Sequence, residues 1–266
     1  LHDGIPVIQL QNKPVQKQVG RYFIEISYNG ANYSGWQSQT NAPSVQETLQ
    51  TTARKVFKQE IEIVGSSRTD AGVHALRQIA QLDFEPSEEL TQCVFRWNMA
   101  LPDDIAVRQI REVKSDTQCR FDAIYRSYQY IITRKKDPFY EGRSLFWYGA
   151  LDLDSMEKCC QMILDAHDFQ AFSKVHTAVN HFECDIQVAN WQTDGHLLLF
   201  NIKANRFLRG MVRALVGTMM EVGKGRKNLE DFAAILNGKD RKKAGENAPA
   251  CGLFLVEVGY PETVFV

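Results

Sequence analysis

The chain has 266 residues, 44% of them hydrophobic and 24% charged, with a formal net charge of −1, a length and balance that suit one large unit or two halves sharing a core. No run reaches the length of a membrane span and no basic start leads into an apolar secretory segment, so the expectation is a cytoplasmic protein that makes no membrane contact. The near-neutral charge argues against an indiscriminate nucleic-acid binder, and six cysteines without a C-x-x-C pair, beside histidines without H-x-x-x-H spacing, argue against a disulfide framework or a catalytic metal.

Residues 1–19 carry no Met at the start and are rich in Gln, Lys and Pro; they read as a tail or expression remnant outside the fold. Alternation predicts a strand over 21–28, ended by Asn29-Gly30, and then a polar-aromatic loop, Tyr33-Ser34-Gly35-Trp36-Gln37. Pro43-Ser44 opens a helix to about Lys58, with Val45, Leu49, Thr52, Ala53 and Val56 on its inner stripe. A strand over 61–64 runs into a polar loop, residues 65–75, that contains Asp70 between Gly65 and Gly72; both glycines are read as sites of backbone angles closed to other residues. Next come a strand over 78–84, a helix over 87–98 capped by Ser87 with acids in its first turn, and a strand over 105–113.

This strand–helix–strand–strand–helix–strand order is that of a split β-α-β unit. The second part repeats it: strand 127–133, helix 153–164, an aromatic turn at 168–172, a hairpin of 186–191 and 197–204, an apolar helix over 207–222, a helix over 229–236, a basic loop over 238–249 and a strand over 253–258. The reading is α+β, with two related ferredoxin-like halves bounded at about 20–113 and 114–266.

Three stretches could carry chemistry. Asp70 in its loop could simply close an Asx-turn. On a helix starting at Phe207, Arg209 falls inside the edge of the apolar arc and Arg213 just beyond it. A cation at the margin of a packed face either snorkels to water or finds a partner. If Arg213 reached Asp70, it would favour the ionised carboxylate. Finally, Arg126, Tyr128 and Tyr130 share one face of a strand, either as cross-strand packing or as a base-stacking surface with a cation for phosphate. Basic residues also gather at 120–126, 134–136, 203–213, 224–227 and 239–243, as solvated faces or as a groove on a neutral body.

Taken together, residues 65–75, Arg126-x-Tyr128-x-Tyr130 and Ile202-Lys203-Ala204-Asn205-x-Phe207-Leu208-x-x-Met211-Val212-Arg213 resemble the tRNA pseudouridine synthase A family. Tyr33-x-Gly35-Trp36-Gln37, Ser44-Val45-Gln46-Glu47, Leu101-Pro102-x-Asp104-Ile105-Ala106-Val107, Asp168-Phe169-x-x-Phe172 and Gly252-Leu253-Phe254-Leu255-Val256 match in the same order. The chain departs from the pattern at Ser67, where the family commonly has glycine, and Arg209 stands at a variable position to which no role is carried.

The resemblance implies one extended, mainly antiparallel sheet with helices on one side and a central cleft. It implies isomerisation of uridine to pseudouridine in tRNA, in the anticodon stem-loop around positions 38 to 40, by a homodimer without metal or organic cofactor. Asp70 matches the catalytic aspartate, Tyr128 the tyrosine that stacks on the target base and assists proton transfer, and Arg213 the arginine paired with the aspartate. Arg68 matches the arginine that helps displace the base, Leu253 an apolar wall, and Arg126 joins Tyr128 on the substrate side. Two other readings compete: a structured-RNA-binding module without catalysis, and a hydrolytic N-glycosidase, which would need a positioned water and usually a second acid.

Overall fold

The computed structural model describes residues 19–174 and 181–266; the expected tail lies outside them but for Val19. The first half runs β1 (Gly20–Tyr28), α1 (Val45–Phe57), β2 (Val64–Gly65), β3 (His74–Phe84), α2 (Leu90–Ala100) and β4 (Ile105–Val113). The second runs β5 (Tyr125–Thr133), β6 (Leu145–Phe146), α3 (Leu153–Asp165), β7 (Ile186–Asp194), β8 (Leu197–Ala204), α4 (Met211–Gly223), α5 (Leu229–Gly238) and β9 (Leu253–Gly259).

Nine strands form one sheet in the order β4-β1-β3-β9-β5-β8-β7, with β2 on β3 and β6 on β5. Setting aside the two-residue β6, each half therefore uses the same arrangement: its last strand, its first, its third, then its second. Pairing is antiparallel except for β5 with β6 and β3 with β9. The β3–β9 seam that joins the halves is short, His74 opposite Phe254 and Ala75 opposite Leu255.

Alternation puts the helices on one side. Tyr22, Ile24, Ile26, Ala80 and Leu82 pack with Val45, Leu49 and Trp97 in one cluster, while Tyr130, Ile132, Phe200 and Ile202 pack with Met156, Leu215 and Phe232 in another. Leu253 belongs to the second cluster and Leu255, on the same face of β9, to the first; Tyr128 touches both. The opposite face carries only small apolar groups, around Phe23 and around Ile131.

Helix starts follow local chemistry, with two departures from the sequence expectation. α1 is capped as expected, Ser44 accepting from the Glu47 N–H at 3.3 Å, and it ends at Lys58 in the left-handed region, φ 55. The second helix starts at Leu90 and not at Ser87, and no side chain caps it. Glu88 is drawn instead into a 2.7 Å ion pair with Arg96, so the acids precede the first turn. The apolar helix starts at Met211 and not at Phe207, because Gly210 takes φ +74, a left-handed angle that a helix cannot contain. Leu208 to Met211 thus form a turn with Phe207 ahead of it, and the places of 207–209 on a helical wheel do not apply. The strand expected over 61–64 is also shorter: only Val64–Gly65 pairs, while Ile61 and Ile63 are buried without a ladder.

Candidate active site

The loop between β2 and β3 is tied down on both sides of Asp70. The Trp36 N–H donates to the Thr69 carbonyl at 3.2 Å and the Gly72 N–H to the Tyr33 carbonyl at 3.3 Å. The Tyr28 and Thr69 hydroxyls share a buried 2.8 Å hydrogen bond. Gln78, fully buried, accepts from the Ser66 hydroxyl and donates to the Ser67 carbonyl, each at 2.8 Å. Gly72 has the left-handed angle expected of it, φ +76, but Gly65 does not; a Cβ there would stand 2.3 Å from the Trp36 indole nitrogen, so Gly65 serves close approach. Fixed at its neighbours, Asp70 keeps 30% of its side chain exposed.

Across the seam, α4 delivers Arg213. Its Nε–H donates to the Ala248 carbonyl at 2.7 Å, while the Ala248 N–H returns to the Arg213 carbonyl at 2.9 Å. So anchored, and 19% exposed, it sets Nη1 3.6 Å from Asp70 Oδ2. The pairing considered from sequence is present. The carboxylate has a second cation that the wheel argument misplaced: Arg209, 61% exposed, with Nε 3.7 Å from Oδ1.

Tyr128 lies partly buried on β5, its ring edge-to-face with Phe207 at 5.1 Å between centroids. Burial pushes its phenol up to about 12; Arg126 pulls the other way, the Asp70 charge adds to the rise, and a hydrogen bond with the Ser67 side chain lowers it again. At neutral pH the group is a phenol, a donor rather than a base. The φ of Ser67 is not positive, so the departure from the family pattern does not strain the loop.

The remaining residues divide. Arg68 is exposed and makes no hydrogen bond or ion pair among the described residues, which leaves it able to move. Leu253 is buried at the head of β9, opposite Tyr130. Arg126 needs correcting: it is not a phosphate-facing cation. It is 9% exposed and its two terminal nitrogens donate to the carbonyls of Ala123, Asn205, Ser66 and Arg120 at 2.7–3.4 Å. A guanidinium offers several donors in a fixed fork, so it gathers loop ends that would otherwise bury unpaired carbonyls.

His74 was not singled out from sequence. It is buried, its Nδ1 accepts from the Gly30 N–H at 3.1 Å, its Nε2 meets the Cys251 carbonyl at 3.1 Å, and its ring stacks on Phe254 at 4.6 Å. It therefore pins the end of the Asp70 loop to the segment leading into Leu253. A histidine following a loop aspartate by four residues was the available signal. No cluster of three or more potential metal ligands occurs among the described residues.

A carboxylate between two guanidiniums beside a protonated phenol suits a reaction that develops positive charge on a sugar. The family model for tRNA pseudouridine synthase matches residues 25–122 and 160–261, which include the Asp70 loop and Arg213, while Tyr128 lies between the two matched spans. The chain belongs to the tRNA pseudouridine synthase family. Curated relatives named tRNA pseudouridine synthase A include one from Parabacteroides distasonis, 45% identical over 92% of this chain and 98% of its own length. Others come from Porphyromonas gingivalis, 43% identical over 93% of this chain and 100% of that protein, and Bacteroides thetaiotaomicron, 42% identical over 92% of each. A solved Cbf5-Nop10-Gar1 complex aligns at 11% identity with a TM-score of 0.34, over 94% of this chain and 60% of that one, and adds nothing to the assignment. As pseudouridine synthases are RNA-uridine isomerases, the site must break a C–N glycosidic bond, turn the uracil and join its C5 to the same ribose. Atoms and electrons balance within the substrate.

Proposed function

We propose that the protein isomerises uridine to pseudouridine in the tRNA anticodon stem-loop, around positions 38 to 40, as a cytoplasmic homodimer, with Asp70 as the catalytic carboxylate. The observation that carries this reading is the partly exposed Asp70 carboxylate held opposite the Ala248-anchored Arg213, 3.6 Å away. A charged carboxylate beside the ribose can share or capture the positive charge that grows at C1′ as the base departs. The target nucleotide has to leave its stack, at a cost of a few kcal/mol that stacking on the Tyr128–Phe207 pair and phosphate contacts would offset. Arg68 is free to enter the gap that the base leaves, and Tyr128, protonated, can hold a uracil carbonyl while the base turns. Leu253, buried opposite Tyr130, is the apolar wall in this reading.

Nucleotide-resolved mapping of pseudouridine in tRNA incubated with the protein tests the activity and the positions together. Asp70→Asn should keep tRNA binding and lose tritium release from 5-tritiated uridine. Free uracil as product would favour the glycosidase reading, and turnover near the wild-type rate by Asp70→Asn would remove Asp70 from the chemistry. Light scattering of the purified protein tests the dimer.

A further inference from the structure

The two cations on Asp70 are built differently. Arg213 stands on a buried helix, is tethered through Nε to Ala248 at 2.7 Å and is 19% exposed. Arg209 stands on the turn before Gly210, is 61% exposed, and has no side-chain partner other than Asp70 among the described residues. Its 3.7 Å separation from Oδ1 is an ion pair without hydrogen-bond geometry, since charge-assisted bonds run at about 2.7–2.9 Å. Such an exposed pair contributes little and is readily exchanged. It also lies on the wrong atom to remain during catalysis. With Arg213 on Oδ2, Oδ1 is the oxygen left to face a ribose, and Arg209 is on it.

From this we infer that Arg209 is an exchangeable substrate clamp: it pairs with Asp70 Oδ1 until RNA binds and then transfers to a phosphate flanking the flipped uridine, freeing Oδ1 for the sugar. A nucleotide presented to Asp70 brings phosphates on both sides of its ribose, within the span of an arginine side chain. The planar guanidinium suits a phosphate's paired oxygens better than a single carboxylate oxygen at 3.7 Å. Arrival of the substrate thus supplies the group that opens the catalytic oxygen. An RNA that places no phosphate there leaves Asp70 covered. The inference rests on the isomerase reading above.

The test is tritium release from 5-tritiated tRNA, together with tRNA binding from about 50 to 200 mM salt, for the wild type, Arg209→Ala and Arg209→Lys. Loss of one charged phosphate contact should weaken binding and kcat/KM about tenfold, with the loss carried by KM. The slope of log affinity against log salt should become shallower by about 0.7 to 0.9, which is about threefold less affinity lost across that range. Arg209→Lys should restore the slope, because a lysine still neutralises a phosphate. An unchanged KM and salt slope in Arg209→Ala would overturn the clamp, as would a large fall in kcat at unchanged KM, which would place Arg209 on Asp70 throughout the reaction. If the wild type forms no pseudouridine, the isomerase reading falls first; if it does and Arg209→Ala behaves like it, only the clamp falls.

Discussion

The same strand order is used twice, yet the connection between second and third strands differs sharply between the halves. In the second half β7 passes to β8 through Gly195-His196, a two-residue turn with Gly195 at φ +57 and open space around it. In the first half the corresponding link, residues 66–73, holds Asp70 and is tied to Tyr28, Tyr33, Trp36 and Gln78. The helices that follow differ too. α2 leaves Phe95 61% and Met99 73% exposed, whereas α4 is buried along most of its length and uses Arg213 to face the other half. One half elaborated a loop and the other buried a helix; the site exists because the β3–β9 seam brings the two products together.

The largest effects should therefore come from the elaborated loop and its partner. Asp70→Asn should lower turnover by about 10³-fold or more with the thermal midpoint little changed. Arg213→Ala and Arg126→Ala should then part company, although both remove one arginine near the site. Arg213→Ala should lower kcat on the order of 10²-fold, since it removes the fixed cation on Oδ2. Arg126→Ala strips four backbone carbonyls of their donor and should cost about 3 kcal/mol or more of stability, read by denaturant unfolding. A stable Arg126→Ala with impaired tRNA binding would return Arg126 to the substrate side.

The contrast between those arginines also marks how far the sequence could be read. Alternation and capping signals placed most elements, from the Ser44 cap of α1 to the β7–β8 hairpin, because these depend on neighbours within a turn or two. The Asp70–Arg213 pair was legible only in part: an arginine at the edge of an apolar helix face either snorkels or finds a partner, and the family resemblance pointed to Asp70. Arg126 was misread because strand alternation tells which face a cation is on and not what fills that face; its partners, Ser66, Arg120, Ala123 and Asn205, are loop ends gathered from across the chain. Arg209 was lost for a local reason. The apolar periodicity of 207–222 runs through Gly210, and only its left-handed angle shows that the helix starts after it.

A smaller effect concerns the seam. His74 accepts from the Gly30 N–H, so its proton sits on Nε2 and points at the Cys251 carbonyl. Protonating Nδ1 would set two N–H groups against each other. Burial is the main cause of a lowered His74 pKa, and the Arg143 charge nearby adds to it, against the hydrogen bonds to the Cys251 and Gly142 backbone; the Cys251 thiol is itself raised by burial. The folded state then binds fewer protons than the unfolded one below about pH 6.5. The stability that neutral His74 contributes is present above that pH and declines as pH falls through the folded-state value. The thermal midpoint should drop between pH 7 and pH 5, and the drop should be flatter in His74→Gln, which does not titrate. Equal slopes would assign the acid sensitivity elsewhere.

The smallest effect lies at the plain turn. Gly195→Ala meets no neighbour, so its cost is the left-handed backbone angle alone, about 1 kcal/mol. Because Gly195 occupies the place in its half that the Asp70 loop occupies in the other, the substitution separates scaffold from site at equivalent positions. Turnover and tRNA affinity should stay at wild-type values while the denaturation midpoint falls slightly. If Gly195→Ala instead reduced tRNA affinity, the β7–β8 turn would be part of the RNA surface, and the second half would contribute a loop as well as a helix.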